Sequence, residues 1–150
     1  MKIKLIRWGS LMTMYNGIYA IFYGILTLSF SKVILSEYFN SSPVPWRLFA
    51  SSFPYRANLY YSLLLTSSFF MISLGIFIIY ISYFVLKRKD KLAWVILFSG
   101  GILSWASLFI ISWITGSWII RVLSFVGWVS FIIGMALPLK YYLKKDYHEF

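Results

Sequence analysis

Residues 59–86 read LYYSLLLTSSFFMISLGIFIIYISYFVL, an uncharged stretch that ends at the basic cluster KRKDK of residues 87–91. As an α-helix, this stretch would reach about 42 Å, against about 30 Å for the hydrocarbon core of a bilayer. It therefore predicts a membrane-spanning helix that is tilted or extends into the headgroups. Because Lys and Arg beside a span stay in the cytoplasm, the cluster predicts that this helix runs from outside to inside.

The composition requires an apolar solvent. The 150 residues are 61% hydrophobic and 12% charged, whereas soluble domains carry about 25% charged residues. The net charge of +10 does not indicate a nucleic-acid partner, because the basic residues flank apolar segments and form no binding stripe. The chain has no cysteine, which excludes disulfides and thiolate metal sites.

The rest of the chain adds three more spans. The first covers residues 8–31 and is too long for the apolar region of a signal peptide. The third covers 93–114 and the fourth 118–139, joined by a turn of three residues that favours a hairpin. The connections are an outer loop over 32–58, an inner loop over 87–92 and a basic tail over 140–150. The predicted fold is a single-domain, all-α integral membrane protein, a four-transmembrane-helix antiparallel bundle.

The charges also predict its orientation. Ten of the Lys and Arg residues lie in the N-terminal segment, the inner loop and the tail, and four lie elsewhere. This bias predicts both termini in the cytoplasm of a multi-pass protein of the cell membrane. The outer loop carries apolar and aromatic residues among its prolines, so it is expected to be amphipathic and to lie along the outer interface.

Small residues recur on one side of each predicted helix. They are Gly17 and Gly24 in the first, Ser68, Gly75 and Ser82 in the second, Gly100, Ser104 and Ser107 in the third, and Gly127, Ser130 and Gly134 in the fourth. In lipid, helices associate where small residues let their backbones approach closely. Each of these faces is therefore expected to pack inside the bundle.

Asn16 is the most polar side chain within a predicted span. Tyr15, Tyr19 and Tyr23 lie nearby at four-residue spacing and are expected to form one stripe. A buried amide needs hydrogen-bond partners, so Asn16 is predicted to face the bundle interior near the second helix, or the third near Gly100. Two interpretations remain open: an interhelical hydrogen bond, or a polar group in a pocket for a lipid or quinone.

Other side chains near the spans also have alternative roles. Arg121, at the outer start of the fourth helix, either extends to the headgroups, pairs with Glu37 or binds an anionic headgroup. Trp105 and Trp128 lie equally far from the hairpin turn. Both are expected near the bilayer centre, each indole donating to a Ser or a backbone carbonyl of the first or second helix.

The inventory of reactive groups argues against catalysis. The four acids and the single histidine all lie outside the predicted spans, and proton relays need ionisable groups inside them. We therefore predict no catalytic residue, no metal site and no cofactor. The function expected first is a non-catalytic accessory or scaffolding subunit that contacts membrane lipids and other integral membrane proteins or its own copies. The alternative is a binder or carrier of an apolar ligand such as a lipid or quinone.

The topology can be tested by labelling single cysteines introduced into this cysteine-free chain. An impermeant thiol reagent applied to intact cells should label a cysteine at position 42. A cysteine at position 89 should react only after the cells are permeabilised. Labelling at 89 and protection at 42 in intact cells would reverse the orientation.

Overall fold

The computed structural model describes residues 2–39, 42–88 and 90–143, and their regular structure is entirely helical. The helices are α1 (Lys2–Ser29), α2 (Ser31–Tyr38), α3 (Trp46–Ser52), α4 (Pro54–Arg88), α5 (Lys91–Ile114), α6 (Trp118–Ala136) and α7 (Leu139–Leu143). By length and composition, α1, α4, α5 and α6 can each cross a membrane. The prediction of an all-helical protein with four helices long and apolar enough to span a membrane is confirmed.

Proline explains two of the boundaries that differ from the predicted ones. Pro54 is the first residue of α4, because its fixed φ and missing N–H suit the first helical position. Pro138 lies in the turn after α6, so this helix ends at Ala136, three residues earlier than expected. The predicted outer loop over 32–58 is largely helical, since it holds most of α2, all of α3 and the start of α4.

Helix α1 is central and packs along α4 through small residues. The Ser10 hydroxyl donates to the Ser82 carbonyl oxygen at 3.3 Å, and the Thr27 and Ser68 hydroxyls lie 2.8 Å apart. Between these contacts, a Cβ on Gly75 would lie only 2.5 Å from the Gly17 carbonyl oxygen. The two backbones therefore approach as closely as the small-residue pattern predicts.

Helix α6 contacts α1 and α5 through its glycines. A Cβ on Gly134 would meet Thr13 of α1, and one on Gly127 would overlap the Trp105 ring of α5. The third helix differs from the expectation. A Cβ on Gly100 meets no described atom within 4 Å, whereas one on Gly101 would overlap the Phe131 ring of α6. Because adjacent residues are about 100° apart on a helix, Gly101 packs inward and Gly100 does not.

Residues 30–39 and 42–53 and the α5–α6 turn lie together at what we call the loop end of the molecule. Glu37 of α2 accepts a hydrogen bond at the start of α6 from the Trp118 backbone nitrogen, at 3.2 Å. Phe39, Trp46 and Phe49 form an aromatic cluster with Tyr60 of α4, with ring centroids 4.8–5.8 Å apart in the contacts that Phe39 and Tyr60 make. No residue of α3 is buried, so this helix lies on the surface of the loop end.

Gly75→Ala and Gly100→Ala form a matched test of the α1–α4 contact. The first change forces a methyl group against the backbone of α1 and should lower the free energy of unfolding by about 1–3 kcal/mol. The second enters open space and should leave stability unchanged or raise it slightly, because alanine favours helix. Thermal unfolding in detergent measures both, and equal effects at the two positions would contradict the packing described.

Candidate functional site: a neutral polar core and an adjoining cleft

The side chain of Asn16 joins α1 to both α5 and α6. It is 2% exposed, and its Nδ2 donates to the Gly127 carbonyl oxygen at 2.7 Å and to the Ser130 hydroxyl at 2.8 Å. Its Oδ1 accepts from Trp105 Nε1 at 2.9 Å. Both amide N–H groups and the amide oxygen therefore have partners, as burial in an apolar interior requires.

The partners of Asn16 were predicted only in part. The prediction that it faces the interior and contacts the third helix is confirmed, because Trp105 belongs to α5. The contact does not involve Gly100 or Gly101. Trp105 donates to helix α1 as expected, although the acceptor is the side-chain amide oxygen of Asn16 and not a serine or a backbone carbonyl. The sequence feature that could have indicated this contact is a tryptophan in the middle of a predicted span together with a single asparagine in another span.

Trp128 differs from Trp105. Its Nε1 is buried and has no hydrogen-bond partner among the described residues, so the expected acceptor is not found. Its ring stacks on Phe109 of α5, with the centroids 5.6 Å apart. The two tryptophans lie equally far from the turn but have different environments. Trp105 contacts α1, whereas Trp128 contacts α5.

The predicted tyrosine stripe divides along α1. The Tyr19 hydroxyl donates to the Leu123 carbonyl oxygen of α6 at 2.9 Å, and its ring centroid lies 5.8 Å from that of Trp105. Tyr23 is 4% exposed and meets the Trp105 ring edge-on. Tyr15 is 67% exposed. A four-residue step advances about 40° around a helix, so Tyr15 and Tyr23, two steps apart, lie on sides of α1 about 80° apart and have different environments.

Arg121 and Glu37 have different contacts at the loop end. The Arg121 guanidinium lies 4.1 Å from the Trp113 ring centroid and is 3.5 Å from the Ser112 carbonyl oxygen. Glu37 places its carboxylate at the first residue of α6, where the positive end of the helix dipole favours a negative charge. Arg121 thus joins α6 back to α5, and Glu37 joins α2 to α6.

A cleft of about 520 Å³ opens between α4 and α5 near the loop end. Leu63 and Leu64 of α4 form one wall and Leu108 and Ile111 of α5 form the other, while Tyr23 and Thr27 of α1 line it as well. Residues of α2 and of the segment after it also line the cleft, namely Leu35, Tyr38, Phe39 and Ser42, as do Tyr60, Ser67 and Thr115. The volume is that of sites for small organic ligands.

Three tyrosines line the cleft, and none of their hydroxyls has a hydrogen-bond partner among the described residues. They are Tyr23, Tyr38 and Tyr60. Tyr38 lies outside the candidate spans, and burial raises its pKa to about 12, so at neutral pH its hydroxyl is a neutral donor. The cleft therefore offers apolar walls and tyrosine hydroxyl donors to one molecule.

The sequence indicated Tyr23 as a candidate but not Tyr38 or the walls of the cleft. Leu63, Leu64, Leu108 and Ile111 look like ordinary span residues, and Tyr38 falls in a segment that was expected to be a loop. The described residues contain no group of three or more His, Cys, Asp or Glu side chains able to hold a metal ion. The polar atoms here can donate and accept hydrogen bonds.

A double-mutant cycle should measure the Asn16–Trp105 contact. Asn16→Leu and Trp105→Phe each remove one partner of the 2.9 Å hydrogen bond, and their coupling energy should be about 0.6–1.7 kcal/mol. The readout is the free energy of unfolding in detergent. Trp128→Phe is the matched control, since its Nε1 donates to no described residue, and it should show no coupling to Asn16→Leu. Equal coupling at both tryptophans would contradict the assignment.

Comparison with known proteins adds no relative to this description. No protein-family model, no curated protein and no solved structure matches the chain.

Proposed function

We propose that the four long helices cross the cell membrane as an antiparallel bundle with both termini in the cytoplasm. The support is the bias of Lys and Arg toward the N-terminal segment, residues 87–91 and the tail. In this arrangement the loop end faces outward. The exposed aromatic residues near α3, among them Phe53 and Tyr55, would then lie at the depth of the outer headgroups.

Within this topology, the protein acts as a non-catalytic binder of an apolar membrane molecule, a lipid or a quinone. The cleft between α4 and α5 is the observation that carries this proposal. Leu63 and Ile111 on its two walls are 58% and 46% exposed, so a chain lying in the bilayer could enter sideways. An apolar chain placed there would be held by burial of hydrocarbon surface, the main source of affinity in such sites.

The cleft also favours a particular chemistry at the head of its ligand. The hydroxyls of Tyr23 and Tyr38 have no described partner, and both are donors. A carbonyl oxygen is the acceptor that pairs with such donors while adding no charge. Quinones and lipid esters each present a carbonyl next to a long apolar chain. The carbonyl suits the tyrosine donors of the cleft, and the chain suits its apolar walls. The chemistry excludes a free ion as the main ligand, because the lining carries no charged side chain.

A second candidate function is the accessory or scaffolding subunit expected from the sequence. The observation that favours it is the outer face of α5. Gly100 meets no neighbour, Ser107 is exposed, and the Ser104 hydroxyl bonds only its own helix, at the Gly100 carbonyl oxygen. A helix of another membrane protein, or of a second copy, could approach closely along this face.

Purification in mild detergent with mass spectrometry of bound lipids and proteins tests both candidates. Leu63→Trp should fill the cleft, and the matched control Leu103→Trp places the same ring on an exposed α5 position, 70% exposed, that does not line it. The wild type and Leu103→Trp should retain a lipid or quinone that Leu63→Trp loses. Tyr23→Phe should weaken its retention by about two- to tenfold, the value of one hydrogen bond.

The same preparation can also give results that contradict the proposed ligand site. A stoichiometric membrane protein that co-purifies with the wild type and with Leu63→Trp but not with Leu103→Trp would favour the accessory role. Retention of the same small molecule at the same level in wild type and Leu63→Trp would reject the cleft as its site.

A further inference from the structure

A second cavity, of about 550 Å³, lies at the loop end between α2, α3 and the first turns of α4. We call it the basic pocket, because two of its lining side chains are cations, Lys32 of α2 and Arg47 of α3. These residues are fifteen positions apart and belong to different helices. Tertiary packing therefore brings two cationic residues to the wall of one cavity.

The charges of the basic pocket are not balanced by its own lining. No carboxylate lines it, and the side chains of Lys32 and Arg47 form no ion pair or hydrogen bond with another described residue. The acid of α2, Glu37, points its Oε1 to the start of α6. Two like charges beside one cavity repel each other, and an anion between them would turn this repulsion into attraction.

The neutral lining also favours an anion that has several oxygens. Asn58 offers amide N–H groups, Tyr61 a hydroxyl and Trp46 an indole N–H. An Arg guanidinium binds two oxygens of a phosphate at once, and a Lys ammonium adds a point charge. This combination of donors matches a phosphate group, because a phosphate accepts many hydrogen bonds and is repelled by other acceptors nearby.

The position of the basic pocket identifies the source of that phosphate. The candidate span of α1 ends at Ser29 and that of α4 begins at Pro54, so the pocket lies where both spans meet the headgroups. Trp46 and Tyr61 are of the residue types enriched at this depth. We propose that the basic pocket binds the phosphate of an anionic membrane lipid.

This inference does not depend on the ligand proposed for the cleft. Leu35 lines both cavities, but the cations and the amide of Asn58 line only the basic pocket. Filling the cleft with Leu63→Trp should therefore leave lipid binding at the basic pocket unchanged, so the two proposals can fail separately.

The test is the thermal midpoint of the purified full chain in an uncharged detergent, titrated with phosphatidylglycerol. Phosphatidylcholine and sodium phosphate are titrated in parallel. Phosphatidylglycerol should raise the midpoint of the wild type, and Lys32→Gln and Arg47→Gln should each need about tenfold more lipid for the same rise. Lys32→Arg keeps the charge and should respond as the wild type does.

Arg56→Gln is the matched control for charge. The Arg56 guanidinium lies 5.4 Å from the Phe53 ring centroid and does not line the basic pocket, so this variant should keep the wild-type response. A response to phosphatidylglycerol that is unchanged in Lys32→Gln and Arg47→Gln, or equally weakened in Arg56→Gln, overturns the proposal. A rise with sodium phosphate equal to that with phosphatidylglycerol assigns the pocket to a free anion and overturns the lipid.

Discussion

The packing of this protein depends on one buried amide that must find all of its partners inside the molecule. Asn16 binds the Gly127 carbonyl, the Ser130 hydroxyl and the Trp105 indole, and so fixes the rotation of α1 against α5 and α6. Once Asn16 faces these two helices, Gly17 points about 100° away and meets α4. A single polar contact thus sets which face of α1 each neighbouring helix covers.

The glycines and the large side chains have complementary roles around this contact. The Gly127 carbonyl oxygen accepts a hydrogen bond from Asn16, and the missing side chain of Gly127 leaves room for the Trp105 ring. Phe131 fills the corresponding space at Gly101. Close backbone approach along α1–α4 and ring-on-glycine packing between α5 and α6 are two solutions to the same problem: helices in lipid gain little from the hydrophobic effect and must gain from contact.

The sequence predicted the features that depend on length, composition and short spacing. These include four long apolar helices, the turn after α5, the close α1–α4 faces and an interior Asn16. It could not predict which of Gly100 and Gly101 packs, because that depends on where Phe131 lies. The cleft was also beyond prediction, since it arises where α2 and the segment after it cover a gap between α4 and α5. The position of Lys32 and Arg47 beside one pocket could not be predicted either, because they belong to different helices and no helical period relates them.

The polar groups of the core have one more property in common. Every polar side chain buried in the described part of the chain is neutral, an amide or a hydroxyl. A membrane potential acts on charge, at about 2.3 kcal/mol per elementary charge for each 100 mV. It therefore has almost no effect on the free energy of these neutral side chains. Nor does a pH gradient, because none of these groups titrates near neutrality. The packing of α1 against α4, α5 and α6 should stay the same whether the membrane is energised or not.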